Sequence, residues 1–190
     1  MRRFARRDPS ARTTDPSCFT AVTGARAALH QRSIPMRVKD VMTDDVKCCS
    51  LETNLAAAAK IMWDADCGAV PVTDGQNRVI GVITDRDICI AGATRSRAEG
   101  EIPVQDVISK PLYCCAPNDD VRAALETMRS QQVRRLPVVG QDGRLAGIIS
   151  IHDIAVQARS GKGSALPVED VLDTFIAISA PSPMQTLVSA

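Results

Sequence analysis

The chain has 190 residues, 45% apolar and only 3% aromatic, so it can bury a core but must build it from Ala, Val, Ile, Leu and Met. A formal net charge of +1 excludes a global electrostatic drive toward nucleic acid or an acidic membrane. The scarcity of aromatic side chains also removes the stacking platforms that single-stranded nucleic acid uses.

No apolar run reaches 18 residues and no secretory h-region lies near the start, so neither a membrane nor export is expected. Seven cysteines are an odd number for a disulfide framework, none forms a Cys-x-x-Cys pair, and two histidines are too few to complete a metal site. Reduced thiols in the cytoplasm and no bound metal are therefore expected.

Residues 1–35 carry seven arginines against two aspartates, with no Lys or Glu, whereas the rest holds sixteen basic and twenty acidic side chains. This basic head lacks apolar periodicity. It reads as a disordered extension ahead of a true start at Met36, as a transit peptide, or as a basic arm, the last without any supporting motif.

From residue 38 the chain repeats itself at a spacing of 66. Val38-Lys39-Asp40-Val41-Met42-Thr43 aligns with Val104-Gln105-Asp106-Val107-Ile108-Ser109, and Cys48-Cys49 with Cys114-Cys115. Val70-Pro71-Val72 aligns with Leu136-Pro137-Val138, and Gly81 to Ile88 with Gly147 to Ile154. Fifteen identities fall in 55 gap-free positions. The organisation is a basic head (1–35), a first unit (36–92), a linker (93–103), a second unit (104–160), and a spacer with a C-terminal amphipathic helix (161–190).

Within each unit a strand leads into the cysteine pair, headed by Val46 in the first copy and Tyr113 in the second. Leu55, Ala58, Ala59 and Met62, and again Val121, Ala124, Leu125 and Met128, form one helical face. Thr53 and Asp119 are the expected N-caps. Two apolar runs around a polar turn (Asp74 to Asn77, Gln141 to Gly143) follow as a hairpin, whose proline confines the first run to an edge or to its first residues. A second helix closes the unit. The fold class is thus α/β, β-α-β-β-α twice, with a pseudo-two-fold axis. One unit of this size is marginal alone, and packing two together solves that. After a Gly-Lys-Gly-Ser spacer, Val168, Val171, Leu172, Phe175, Ile176 and Ile178 form an apolar helical stripe that could pack on its own module, extend a dimer interface or dock on a partner protein, with self-packing in the dimer preferred, and the residues from Ala180 are expected to fray.

Val-Pro-Val, a turn, then Gly-x-Ile-Thr-x-x-Asp, led by Val-x-Asp-Val-Met-Thr, resembles the CBS domain signature. It occurs twice in register between residues 36 and about 160. The chain is similar to small stand-alone bacterial CBS-pair proteins of the hypoxic response type. That resemblance implies a non-enzymatic regulatory module, a flat homodimer, and two clefts between the copies that take an adenosine-containing ligand: AMP, ADP, ATP or S-adenosylmethionine. No catalytic triad context, Gly-rich phosphate loop or metal cluster argues for an enzyme. The alternative is a structural or protein-interaction module with empty clefts, responsive to stress or redox state. No downstream partner is legible.

Candidate ligand residues follow from both routes. Asp87 and Asp153 offer two carboxylate oxygens to a ribose diol. Thr84 and Ser150 stand three residues earlier, beside the N–H groups of a helix start that favour phosphate. Thr84-x-x-Asp87 and Ser150-x-x-Asp153 are equally capping boxes, which need no ligand. Arg86, Arg134, Arg135 and His152 are candidate phosphate contacts, with Arg135 favoured and solvated charge as the plain alternative. Gly68-Ala69 replace Arg134-Arg135 in the first copy, so two clefts of unequal charge are expected. Backbone groups of Val70 and Leu136 would meet an adenine edge. Tyr113 would stack on a base or simply lie half-buried at a strand edge. Neighbouring strand residues face opposite ways, so each cysteine pair has one core thiol and one facing a cleft. Cys48 and Cys114 are candidate redox thiols, against the plainer role of small hydrophobes.

Overall fold

The computed structural model describes residues 36–108, 111–160 and 166–181. The basic head, the spacer at 161–165 and the residues from 182 lie outside them. Each repeat contains a helix, a two-stranded antiparallel hairpin and a second helix. These are α1 (Leu55–Asp64), β1 (Ala69–Thr73), β2 (Val79–Thr84) and α2 (Asp85–Thr94), then α3 (Val121–Gln131), β3 (Arg135–Val139), β4 (Leu145–Ser150) and α4 (Ile151–Ser160); α5 (Val168–Ser179) follows.

The first strand of each repeat shrinks to one ladder rung, Cys49 beside Val72 and Cys115 beside Val138, both parallel. Proline accounts for this. Cys49 N donates to Pro71 O (3.1 Å) and Thr73 N to Cys49 O (2.9 Å), while Cys115 N donates to Pro137 O (3.1 Å) and Val139 N to Cys115 O (2.8 Å). The next donor toward the N-terminus of the rung would be the N–H that Pro71 and Pro137 lack, and the ladder stops there. Proline therefore sits at the centre of β1 and β3 rather than at their starts.

The helix caps fall one residue later than expected. Asn54 accepts from Ala57 N (2.8 Å) and Asp120 from Arg122 N (2.8 Å). Thr53 and Asp119 turn backward instead, accepting from Ser50 N (3.0 Å) and Ala116 N (2.8 Å) in the turn before each helix.

Two cores form, and each is completed by the other repeat's leading segment. Val38 lies in the core of the second repeat, with Val121, Leu125, Met128, Leu136 and Ile149. Ile102 and Val104 lie in the core of the first, with Leu55, Met62, Val70 and Ile83. Matched bonds hold the exchange: Val38 N to Asp119 O (3.0 Å) and Val121 N to Met36 O (2.9 Å), against Val104 N to Thr53 O (2.8 Å) and Leu55 N to Ile102 O (3.0 Å). The pseudo-two-fold axis passes between Arg78 and Arg144, which face each other in an antiparallel bridge.

Helix α5 packs on α3 and α4. Only part of its apolar stripe is covered. Val171, Thr174 and Ile178 face inward, while Val168, Leu172, Phe175 and Ile176 remain 51–59% exposed. Apolar side chains occupy more of this helix's circumference than one packing face can bury, and the second repeat takes the 171/174/178 row.

Candidate functional site

Helices α2 and α4 begin directly at the ends of β2 and β4, which places Thr84 and Ser150 at the strand-to-helix turns. Both capping boxes form. Asp87 Oδ2 accepts from Thr84 N (3.0 Å) and Thr84 Oγ1 (2.7 Å), and Asp87 N donates to Thr84 Oγ1 (3.2 Å). Asp153 Oδ2 accepts from Ser150 N (2.9 Å) and Ser150 Oγ (2.6 Å), and Asp153 N donates to Ser150 Oγ (3.2 Å). The plain reading is thus realised in both copies, and both carboxylates stay half-buried rather than sealed.

A cavity of about 550 Å³ opens beside the first of these boxes. Its wall takes Thr84, Arg86 and Asp87 from the first repeat and Tyr113, Arg134 and Arg135 from the second. It draws the first copy's diol candidate together with the second copy's arginines. Gly68 and Ala69 line the same cavity as Arg134 and Arg135, which corrects the expectation that they belong to separate clefts. The starts of β1 and β3 are related by the pseudo-two-fold, so equivalent residues converge instead of separating. Three arginines against Asp85 and Asp87 leave this wall net positive.

The side chains of Val70 and Leu136 are fully buried, and their predecessors Ala69 and Arg135 line the cavity. Val46, Ser150, His152 and Asp153 are not among its lining residues. Leu112, which sequence reading missed, does line it. The signal was present, because the 66-residue shift carries Val46 onto Leu112.

The start of α2 does not offer free donors either. Asp85 N donates to Gly68 O (3.2 Å), Arg86 N to Asp85 Oδ1 (2.7 Å) and Asp87 N to Thr84 Oγ1. The expectation of open N–H groups for phosphate is corrected here, and any anion selectivity of this cavity rests on guanidinium groups.

The cysteine pairs alternate as their neighbouring positions require. Cys48 and Cys114 are exposed, Cys49 is buried and Cys115 is half-buried, and all six described cysteines are free thiols. Burial, with a smaller push from Cys48, drives the Cys49 thiol up to about 11. Burial, then Asp119 and Cys114, drives Cys115 up to about 12. These inner thiols stay protonated and serve as small core groups. Among the described residues no cluster of three or more His, Cys, Asp or Glu side chains could hold a metal ion, and no helix is long and apolar enough to cross a membrane.

Comparison with known proteins agrees with this architecture. The CBS domain profile matches residues 38–93 and 104–158. The CBS domain-containing protein YhcV of Bacillus subtilis is 38% identical over 131 residues, covering 68% of this chain and 91% of that protein. The crystal structure of Hypoxic Response Protein I with two coordinated zinc ions superposes with a TM-score of 0.59 at 32% identity, over 64% of this chain and 98% of that one. The fold is also shared with CBSX2, solved in complex with AMP (TM-score 0.58, 22% identity, 66% of this chain and 98% of that one). Two matched copies, a gap-free internal repeat and exchanged leading segments lead to one conclusion: the chain belongs to the CBS domain family, as a tandem pair.

Proposed function

We propose that the chain is a non-enzymatic, ligand-sensing regulatory module whose inter-repeat cavity takes an adenine nucleotide. One observation carries the reading: a single cavity is lined by Asp87, Tyr113, Arg86, Arg134 and Arg135. In this reading Asp87, with Thr84, meets the ribose diol. Tyr113 meets the base, and the backbone at Ala69 and Val70 faces its edge. The arginines hold the phosphate, with Arg135 foremost, because a planar fork of donors matches a phosphate better than a point charge does. That a CBS protein of the same fold was solved with AMP supports the ligand class.

The positive wall favours AMP, ADP or ATP over S-adenosylmethionine, whose sulfonium is cationic. Ser150, His152, Asp153 and Val46 would form a second, less basic cleft. The module works in the cytoplasm as a homodimer.

Differential scanning with AMP, ADP, ATP and S-adenosylmethionine tests the reading, because a ligand that binds the native state raises its melting temperature. The expected outcome is a shift with at least one phosphate-bearing ligand and a smaller one with S-adenosylmethionine. No shift with any ligand at millimolar concentration would favour the second reading, a structural or interaction module with empty clefts. The exposed outer thiols, Cys48 and Cys114, favour a redox-responsive form of that alternative. A free-thiol count unchanged by oxidant would end it.

A further inference from the structure

The cavity has a wall that comes from neither repeat. Ile178, in the last turn of α5, lines it together with Gln132, Val133, Arg134 and Arg135. Gln132 caps α3 in the left-handed region (φ 52°), and the next three residues run along the cavity into β3. Its side-chain amide reaches 45 residues along the chain. Gln132 Nε2 donates to Ala177 O (3.1 Å) and Ala180 O (3.2 Å) at the C-terminal end of α5, where Ala177 O also accepts from Ala180 N (3.3 Å). One residue therefore both ties down the end of α5 and leads directly into the arginine pair.

We propose that α5 is a third wall of the nucleotide cavity, and that Gln132 is a positioning residue coupling the seating of α5 to occupancy of the cavity. The inference rests on the proposed function and adds a regulatory element to that site. The coupling is reciprocal. If Ile178 and the tethered end of α5 complete the cavity, a nucleotide must tighten α5 by the factor by which a seated α5 tightens the nucleotide. The thermodynamic means is local: α5 carries a half-exposed outer face and a partial inner one, the profile of an element whose docking is weaker than the global fold.

The test uses the full chain with AMP as probe. Hydrogen exchange across residues 168–179 is followed with and without saturating AMP, and AMP affinity is measured for wild type, Gln132→Gly, Ile178→Ala and Phe175→Ala. Glycine keeps the left-handed cap of α3 without strain, so Gln132→Gly removes the tether and not the turn. Phe175 is exposed on the outer face of α5 and serves as control. AMP is expected to slow exchange along α5 in the wild-type chain, and Gln132→Gly and Ile178→Ala to weaken AMP roughly fivefold or more, with Phe175→Ala unchanged. AMP binding with unaltered α5 exchange, or wild-type affinity in both variants, overturns the coupling and leaves the binding site standing. Failure of the intact chain to bind AMP overturns both.

Discussion

The Asp87 carboxylate closes a helix cap and faces a cavity, and one substitution separates the two roles. Asp87→Asn keeps an oxygen for Thr84 N and so preserves most of the cap, which is worth about 1 kcal/mol, while removing the charge that best accepts a diol. The expected outcome is a near-wild-type melting temperature with AMP binding weakened at least tenfold in titration calorimetry. A lowered melting temperature with unchanged affinity would make Asp87 a cap alone. The inner cysteines allow a second test. Each holds its proton more tightly folded than at the ordinary value of 9.0. Their stabilisation is therefore complete below pH 9 and is lost as pH rises through about 11 for Cys49 and about 12 for Cys115. In urea denaturation a Cys49→Ala/Cys115→Ala chain should lose stability less steeply above pH 9 than the wild type; parallel slopes would contradict the assignment. At this scale the sequence revealed residue types better than addresses. Thr84, Asp87, Tyr113, Arg86, Arg134 and Arg135 reach the cavity wall, whereas the side chains of Val70 and Leu136 turn into the core, because strand neighbours point to opposite faces.

At the scale of elements, helix periods and hairpin turns were readable because one face of each is apolar. Ends were not. Thr53-Asn54 and Asp119-Asp120 each place two capping residues side by side, and only the backward bonds to Ser50 and Ala116 decide that the second one caps. The stripe of α5 was visible, but not which row of it would be buried. Close approach between elements gives a sharper prediction. A Cβ at Gly147 in β4 would lie 2.6 Å from Thr43 O, a backbone atom paired to β4 through Ile148. Gly147→Ala should therefore cost about 1–3 kcal/mol in urea denaturation, whereas Gly75→Ala, with nothing within 4 Å of its new methyl, should be close to neutral. Equal effects at the two sites would mean that the Thr43 segment yields freely.

On the scale of the whole molecule, the duplication was plain from the 66-residue register, but the exchange of leading segments was not. Val38 and Val104 look like the starts of their own repeats, and no local pattern says that each completes the opposite core. The exchange makes the pair one cooperative unit. Residues 36–92 alone lack Ile102 and Val104 and should show little folded signal by circular dichroism, while the pair unfolds in one transition. A folded isolated repeat would contradict this. The same interlock explains why the cavity draws on both copies, with Asp87 and Arg86 arriving from one half and Arg134 and Arg135 from the other. The proposed binding of an adenine nucleotide by this shared wall rests on its arginines. Isothermal titration of AMP into the wild-type chain and into Arg135→Ala tests it most directly. The expected result is saturable binding to the wild type, weakened by roughly 1.5 kcal/mol or more when the Arg135 guanidinium is removed from the cavity wall. Binding unaffected by Arg135→Ala, or no binding by the wild type, would contradict it.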